Sequence, residues 1–211
     1  MHRFDYDPAD ITAVILAGGR ARRMGGQDKG LIPLNGRPLV EHVSGRLAGQ
    51  VGRVLLNANR SLQQYRQLGF EVHTDVMPGF GGPLVGVLTG IQQAATDWIV
   101  FSPCDTPALP EDLVQRLWRA AQRNRTCLAV AYDGEAMQWL NCLLHREVEY
   151  SLLQALAGGE SSMKGWVKRM DYAVADFTGE QQTFINVNTA EDLARCALGF
   201  TDKAQTAGRD W

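Results

Sequence analysis

The chain predicts a three-layer α/β domain: a mostly parallel sheet with helices packed on both faces. Three observations carry this. Short apolar runs alternate with helix-period segments almost to the end of the 211 residues. That alternation implies right-handed crossovers between parallel strands. A glycine-rich loop bearing arginines and a lysine directly follows the first apolar run, where phosphate-binding turns of α/β folds sit. Polar residues also close most of the later runs, so the carboxyl edge of the sheet is chemically equipped.

Ile11–Leu16 reads as a buried first strand because all but one of its residues are apolar. Residues 38–48 follow as a helix with Pro38 at its first position, where a missing N–H is harmless. A strand over 54–57, a helix over 62–68 and a strand over 70–74 come next, then a helix over 84–95 and a strand over 98–101. Pro110-Glu-Asp signals a helix over 111–122, followed by strands over 127–132 and 140–144. Helices over 148–156 and 163–170, a strand over 184–187 and a helix over 190–198 complete the pattern. The last helix has Thr189 as N-cap and acids in its first turn. No internal repeat or linker divides the chain, so residues 1–200 read as one domain. The polar segment 201–211 reads as a mobile tail.

Composition narrows the class. With 45% hydrophobic and 21% charged residues the chain is ordinary globular material. A net charge of −2 argues against a general polyanion binder, and a nucleic-acid partner is not expected. Phosphate affinity must then be local, and the arginines around Arg22 supply it. The four cysteines form no Cys-x-x-Cys pair, which argues against zinc and redox motifs and suits a reducing cytosol. The polar N-terminus lacks the apolar core of a signal peptide, and no run approaches the roughly 18 residues of a membrane span. A cytoplasmic protein with no membrane partner is the expectation.

The loop is Leu16-Ala-Gly-Gly-Arg-Ala-Arg-Arg-Met-Gly-Gly-Gln-Asp-Lys29. Its glycines let backbone N–H groups fold around an anion, and its cations neutralise the remaining charge. A Walker A loop would place Ser or Thr after the lysine, whereas Gly30 follows Lys29. Gly-x-Gly-x-x-Gly spacing is also missing, since Arg20 and Ala21 stand where second glycines would. The loop resembles the nucleotidyltransferase signature Leu-Ala-Gly-Gly-x-x-x-Arg-Met-Gly-Gly-x-Asp-Lys at every fixed position. In its double-glycine form it resembles the molybdenum cofactor guanylyltransferases. Cytidylyl relatives usually read Leu-Ala-Ala-Gly; the methyl missing at Gly18 leaves room for a purine.

Other residues gather at the same edge. Asp105, ending Pro103-Cys-Asp105, suits a magnesium ligand, because Mg2+ needs one or two carboxylates beside phosphate oxygens and water. The alternative is an aspartate that merely opens the following turn. Asn57 and Asp75 close two strands, with Asn59 and Arg60 beside Asn57; they can serve base or ribose, or simply form turns. Gly81, Gly82 and Gly86 open a helix aimed at the site, for ligand approach or for tight packing. Asn186 and Asn188 share a face ahead of the last helix. Lys164 and Lys168, four apart and next to Arg169, are either a solvated surface or a dock for the phosphate or pterin of an acceptor. His2, His42, His73 and His145 are scattered without ligand or base spacing. A phosphate-monoester nucleophile, with a second pKa of about 6, needs no such base.

The resemblance implies a Rossmann-like three-layer nucleotidyltransferase fold. It implies transfer of GMP from GTP to molybdenum-loaded molybdopterin, with Mg2+ as cofactor and pyrophosphate released. GTP would meet Leu16, Ala17, Gly18, Gly19, Lys29, Asn57, Asp75 and Asp105. Arg23, Lys29 and Asp105 would be catalytic, Asp105 would hold the metal, and Asn186, Asn188, Lys164 and Lys168 would face the acceptor. Molybdoenzyme chaperones or other cofactor-biosynthesis proteins are implied as partners. The chain departs from the family around residues 135–140, where the resemblance implies a His-Pro-type element in the acceptor region. The alternatives are a cytidylyl or sugar-nucleotide transferase of the same fold, and a non-catalytic GTP- or cofactor-binding accessory protein.

Overall fold

A computed structural model describes residues 6–18, 20–21, 27–77 and 82–204. In chain order the elements are β1 (Ile11–Leu16), β2 (Arg20–Ala21), β3 (Gln27–Asp28), β4 (Pro33–Leu34), β5 (Arg37–Pro38), α1 (Leu39–Ala48), β6 (Arg53–Asn57), α2 (Leu62–Gln67) and β7 (Val72–His73). There follow α3 (Pro83–Gln93), β8 (Trp98–Pro103), α4 (Leu113–Asn124), β9 (Leu128–Tyr132), β10 (Met137–His145), α5 (Glu149–Ala157), α6 (Met163–Val167), β11 (Ala173–Asp176) and α7 (Ala190–Ala204).

Seven strands form the main sheet in the order β11-β9-β10-β8-β1-β6-β7. Every pairing is parallel except those of β10, which runs antiparallel to both β8 and β9. The first strand lies centrally and is buried along its whole length. Its side chains alternate with period two: Ile11, Ala13 and Ile15 join one core, Val14 and Leu16 the other. The first core is completed by Val40, Val43 and Leu47 of α1 and by Leu113, Leu117 and Trp118 of α4. The second contains Leu84, Val87 and Ile91 of α3, Leu152 and Leu156 of α5, and Trp166 of α6. Helices therefore cover both faces, giving the expected three layers. A smaller cluster of Ile32, Leu34, Leu39, Val187 and Cys196 docks α7 beside the segment that follows the glycine-rich loop.

Several boundaries differ from expectation. The strand expected over 70–74 shrinks to the two residues of β7. Pro38 pairs in the β4–β5 ribbon and caps α1 rather than opening it. The α4 helix starts only at Leu113, with Asp112 as its cap. No strand forms over 184–187. Gln181–Phe184 is a 3-10 turn, Phe184 packs on Phe177 at 5.2 Å, and the Val187 N–H donates to the Asp105 carbonyl at 2.8 Å. Phe184 and Val187 thus belong to separate clusters, which draws this segment away from the sheet. The strand at that end is β11, with Ala173 and Ala175 inward and Val174 46% exposed. The last helix does begin with the expected cap: Asp192 N–H donates to Thr189 Oγ1, and Thr189 N–H returns to Asp192 Oδ2. It continues to Ala204, so the first residues of the expected tail are helical; 205–211 lie outside the described residues.

Candidate active site

An open cleft of about 750 Å³ lies along one edge of the sheet, within the usual range for a small-molecule site. Its floor is built where β1, β6 and β8 end, at Leu16, Asn57 and Pro103. Because β10 is antiparallel, it reaches the same edge with its beginning, and residues 137–141 form one wall.

Lys29 and Asp105 meet at the centre. Lys29 sits in a 3-10 turn, and the turn is pinned from below. Asp28 Oδ1 accepts from the Tyr65 hydroxyl at 2.6 Å and from the Gly30 N–H at 3.4 Å. Tyr65 is fully buried, and burial together with the Asp28 bond pushes its phenol well above its ordinary pKa. A Cβ on Gly30 would stand 2.5 Å from the Tyr65 hydroxyl, so only glycine lets that anchor close. From this turn Lys29 Nζ donates to Asp105 Oδ2 at 2.8 Å and to Asn188 Oδ1. The two side chains are 17% and 13% exposed, so water screens the pair only partly. Cys104, next to Asp105, stays a thiol: burial raises its pKa, and the neighbouring Asp105 carboxylate raises it further.

A second polar group lies toward the β6–β7 side. Asp75 Oδ1 accepts from Asn57 Nδ2 at 2.9 Å, and Asp75 Oδ2 from Asn59 Nδ2 at 2.7 Å. The Asp75 N–H donates in turn to Asn59 Oδ1 at 2.9 Å. The carboxylate is thereby oriented while keeping lone pairs for a ligand's N–H or O–H groups. Gly86 of α3 packs on this cluster: a Cβ there would lie 2.5 Å from Asn57 Oδ1. Gly86 thus packs tightly on Asn57 and, like Gly82, also lines the cleft. Gly82, at φ +95, adopts a glycine conformation within 2.4 Å (from an added Cβ) of the Ser161 carbonyl oxygen.

Leu16, Gly18, Lys29, Asn57, Asn59, Asp75, Asp105, Asn186 and Asn188 all line the cleft. Ala17 is buried beneath it and donates its N–H to the Asn57 carbonyl at 2.8 Å. Asn186 accepts from Thr106 Oγ1 at 2.8 Å, and Asn188 is held by its N–H donating to Asp192. Gly19, Arg22, Arg23 and Gly81 lie outside the described residues. Lys164 and Lys168 are not brought to the cleft. The inner face of α6 is occupied by Met163, Trp166 and Val167, which leaves both lysines exposed to solvent. Arg60 does not line the cleft either; its charge lies near Tyr65.

The candidate site residues read from the sequence did not include the β10 wall, Met137, Gln138, Trp139, Leu140 and Asn141; residues 137–140 entered that reading only as a departure from the family pattern, and Asn141 not at all. Asn141 is 2% exposed, and its Oδ1 accepts from the buried Ser102 hydroxyl at 2.6 Å. Gln138 is tied to Asp133 at 2.6 Å, and Trp139 packs edge-on against Tyr172. The readable signal was a serine and an asparagine inside two otherwise apolar strand runs, since buried polar groups must find partners.

The residues suit Mg2+. Asp105 offers a carboxylate oxygen with no hydrogen-bond partner among the described residues, at a polar edge with room for phosphate oxygens and water to complete an octahedron.

Residues 13–174 match the family model of the MobA-like NTP transferase domain. The chain is 42% identical over 194 residues to the molybdenum cofactor guanylyltransferase of Shewanella putrefaciens, covering 92% of this chain and all of that protein. It is 42% identical over 188 residues to the Haemophilus influenzae protein of that name, covering 89% and 98%. Among solved structures, the molybdopterin-guanine dinucleotide biosynthesis protein A of Archaeoglobus fulgidus superposes with a TM-score of 0.73 at 18% identity, over 90% of this chain and 98% of that one. A nucleotidyl transferase of Methanothermobacter gives 0.71 at 19% identity, over 90% and 97%. At such identities these structures speak for the fold; the sequence relatives carry the kinship, and by them the chain belongs to the molybdenum cofactor guanylyltransferases, within the MobA-like nucleotidyltransferases.

Proposed function

We propose that the chain transfers GMP from GTP to the phosphate of molybdenum-loaded molybdopterin, forming the guanine dinucleotide cofactor and releasing pyrophosphate. The observation that carries this reading is the Lys29–Asp105 pair at the centre of the cleft of a guanylyltransferase chain, flanked by Asp75 with its two asparagines. A phosphate-monoester oxygen of the acceptor attacks the α-phosphorus of GTP. The bond from that phosphorus to the bridging oxygen breaks, and pyrophosphate leaves with the electron pair. The nucleophile is already largely ionised at neutral pH. No histidine lines the cleft among the described residues. Positioning and charge neutralisation therefore carry the step.

Lys29 leaves Asp105 for the phosphates when nucleotide enters, and Asn188 steadies its ammonium group from the other side. Asp105 would hold Mg2+, which when bound neutralises charge on the triphosphate. Asp75 accepts from the N1–H and N2–H groups of guanine, its carboxylate aimed by Asn57 and Asn59. Arg23 supports the triphosphate on the strength of the loop signature alone. The same reading places the enzyme in the cytoplasm, where free buried thiols such as Cys104 and Cys142 persist. It also places molybdoenzyme chaperones or other cofactor-biosynthesis proteins as recipients of the product. No helix among the described residues is long and apolar enough to cross a membrane. The test is pyrophosphate release with each of GTP, ATP, CTP and UTP, with and without molybdenum-loaded molybdopterin. Release that requires GTP and acceptor together supports the reading; release with CTP alone among the four moves the chain to the cytidylyl class.

A further inference from the structure

We infer that Cys127, His145 and Glu147 form a site for a thiophilic divalent cation of the Zn2+ class, at the edge of the sheet opposite the cleft. Their ligand atoms, a thiol sulfur, a ring nitrogen and a carboxylate oxygen, all lie within 4.8 Å of one another. Backbone pairing builds the cluster. The His145 N–H donates to the Cys127 carbonyl at 2.8 Å, one step beyond the Leu144–Leu128 pair of β10 and β9. The two residues therefore stand opposite each other across the antiparallel pair. Glu147 lies in the 3-10 turn that follows, and its N–H turns back to His145 Nδ1 at 3.4 Å. No Cys-x-x-Cys spacing announces such a site in the sequence; the paired strands supply the proximity instead.

The distances fit the ion. Zinc bonds of about 2.0–2.3 Å at tetrahedral angles place neighbouring ligand atoms about 3.3–3.8 Å apart. Cys127 Sγ is 3.3 Å from Glu147 Oε2, and His145 Nδ1 is 3.5 Å from the same oxygen. The charges fit as well. A ring that accepts the Glu147 N–H at Nδ1 carries a lone pair there, beside a carboxylate that is itself an acceptor. Thiolate, neutral imidazole and carboxylate together carry two negative charges, which a divalent cation cancels. On binding, the thiol proton leaves to solvent and a sulfur lone pair forms the metal bond. Among the described residues no lysine or arginine pairs with Glu147, and the adjacent Arg146 is held by Asp97 and by the Ala94 and Thr96 carbonyls. Trp98 packs edge-on against the His145 ring, centroids 4.9 Å apart, and steadies it. The Glu147 side chain is 70% exposed, so water completes the coordination. A sulfur ligand selects against Mg2+, which takes oxygen. The site is also remote from Asp105. His145 pairs with Trp98 at the start of β8, and Asp105 lies beyond the end of that strand, on the order of 20 Å away at about 3.3 Å per residue.

The test uses the full chain after chelator treatment. Co2+ takes the same ligands as Zn2+ and reports a thiolate by a charge-transfer band; Zn2+ affinity is read by competition with a chelating dye. The band should appear with the first equivalent of Co2+ in the wild type. Cys127→Ser should abolish it and weaken Zn2+ binding by about a hundredfold or more, since loss of an outer-shell partner alone costs about 10–100-fold. Glu147→Gln, at an exposed position that leaves the fold intact, should weaken Zn2+ by about tenfold or more. His145→Phe, which keeps an aromatic ring against Trp98, should do the same. The inference is overturned if the wild type shows no band, or if either Glu147→Gln or His145→Phe binds Zn2+ as tightly as the wild type, which would leave a lone thiol catching the ion. A band that survives in Cys127→Ser but is lost in Cys104→Ser would place the ion beside Asp105 and overturn it equally.

Discussion

Lys29→Ala should act in opposite directions on metal binding and on catalysis. Lys29 Nζ lies 2.8 Å from Asp105 Oδ2, and both side chains are mostly shielded from solvent. A hydrogen bond between charged groups in such a setting is worth about 1.5–3 kcal/mol. Whatever binds Asp105 as a cation must first displace that bond, so the lysine competes with metal until phosphates draw it away. Removing it should tighten binding of Mn2+, used as a spectroscopic probe without nucleotide, by about ten- to a hundredfold, the same free energy expressed as affinity. Turnover should move the other way. A cation aimed at charge building on the phosphates carries a few kcal/mol of barrier, so saturated single-turnover transfer should fall by about a hundredfold or more, with GTP affinity falling much less. Electron paramagnetic resonance of free Mn2+ and quenched-flow transfer assays measure the two effects. Unchanged Mn2+ affinity would refute the competition. Unchanged saturated turnover with weakened GTP binding would reduce Lys29 to a ground-state anchor.

Asp105→Ala should lower transfer by about 10²–10³-fold while unfolding within about 3 °C of the wild type, because its carbonyl still accepts from Val187 N–H; near-normal transfer at saturating Mg2+ would make it a turn former. GTP should bind at least about tenfold tighter than ATP, CTP or UTP, about 1.4 kcal/mol, and Asp75→Ala should erase the difference in calorimetry. Asp192→Ala should cost about 1 kcal/mol through the lost α7 cap. Burial opposes ionisation of Asp192, but the Asn188 and Thr189 N–H groups and the Thr189 side chain outweigh it and hold the carboxyl below its ordinary value. Its folded pKa lies below its unfolded one, so the contribution is present above the ordinary carboxylate value and lost as pH falls through the depressed one. Denaturant midpoints of variant and wild type should therefore converge below about pH 4.

The sheet was legible wherever a strand is buried on both faces. Ile11–Leu16, Trp98–Pro103 and Leu128–Tyr132 are near-continuous apolar runs because helices cover them above and below. The edges were not. Ala173–Asp176 spends only two alanines on the core and exposes Val174, so its pattern is too short and weak to stand out. Phe184 and Val187 look like one strand in sequence, yet each satisfies a different cluster. Tertiary packing, not local preference, chose the edge strand.

The site shows the same division with a different cause. Looking just past the end of each strand found Lys29, Asn57, Asp75 and Asp105, because in a parallel sheet those ends converge. The rule fails for an antiparallel strand, which brings its first residues to that edge, and so it passed over Trp139 and Asn141. The reversal was written in the chain. Asp133-Gly134 separates two apolar runs, an aspartate–glycine turn of the hairpin kind. Asp133 Oδ1 accepts from the Glu135 and Ala136 N–H groups at 2.8 and 2.7 Å, and Gly134 adopts φ +100, which few other residues tolerate. A four-residue loop there cannot hold a crossover helix, so β10 has to run back beside β9. Lys164 and Lys168 lie away from the cleft for the converse reason: a shared helical face says nothing about which way it points, and Met163, Trp166 and Val167 take the inward one. The β10 wall of the cleft is thus set by a turn, while the Lys29–Asp105 pair meets at its centre.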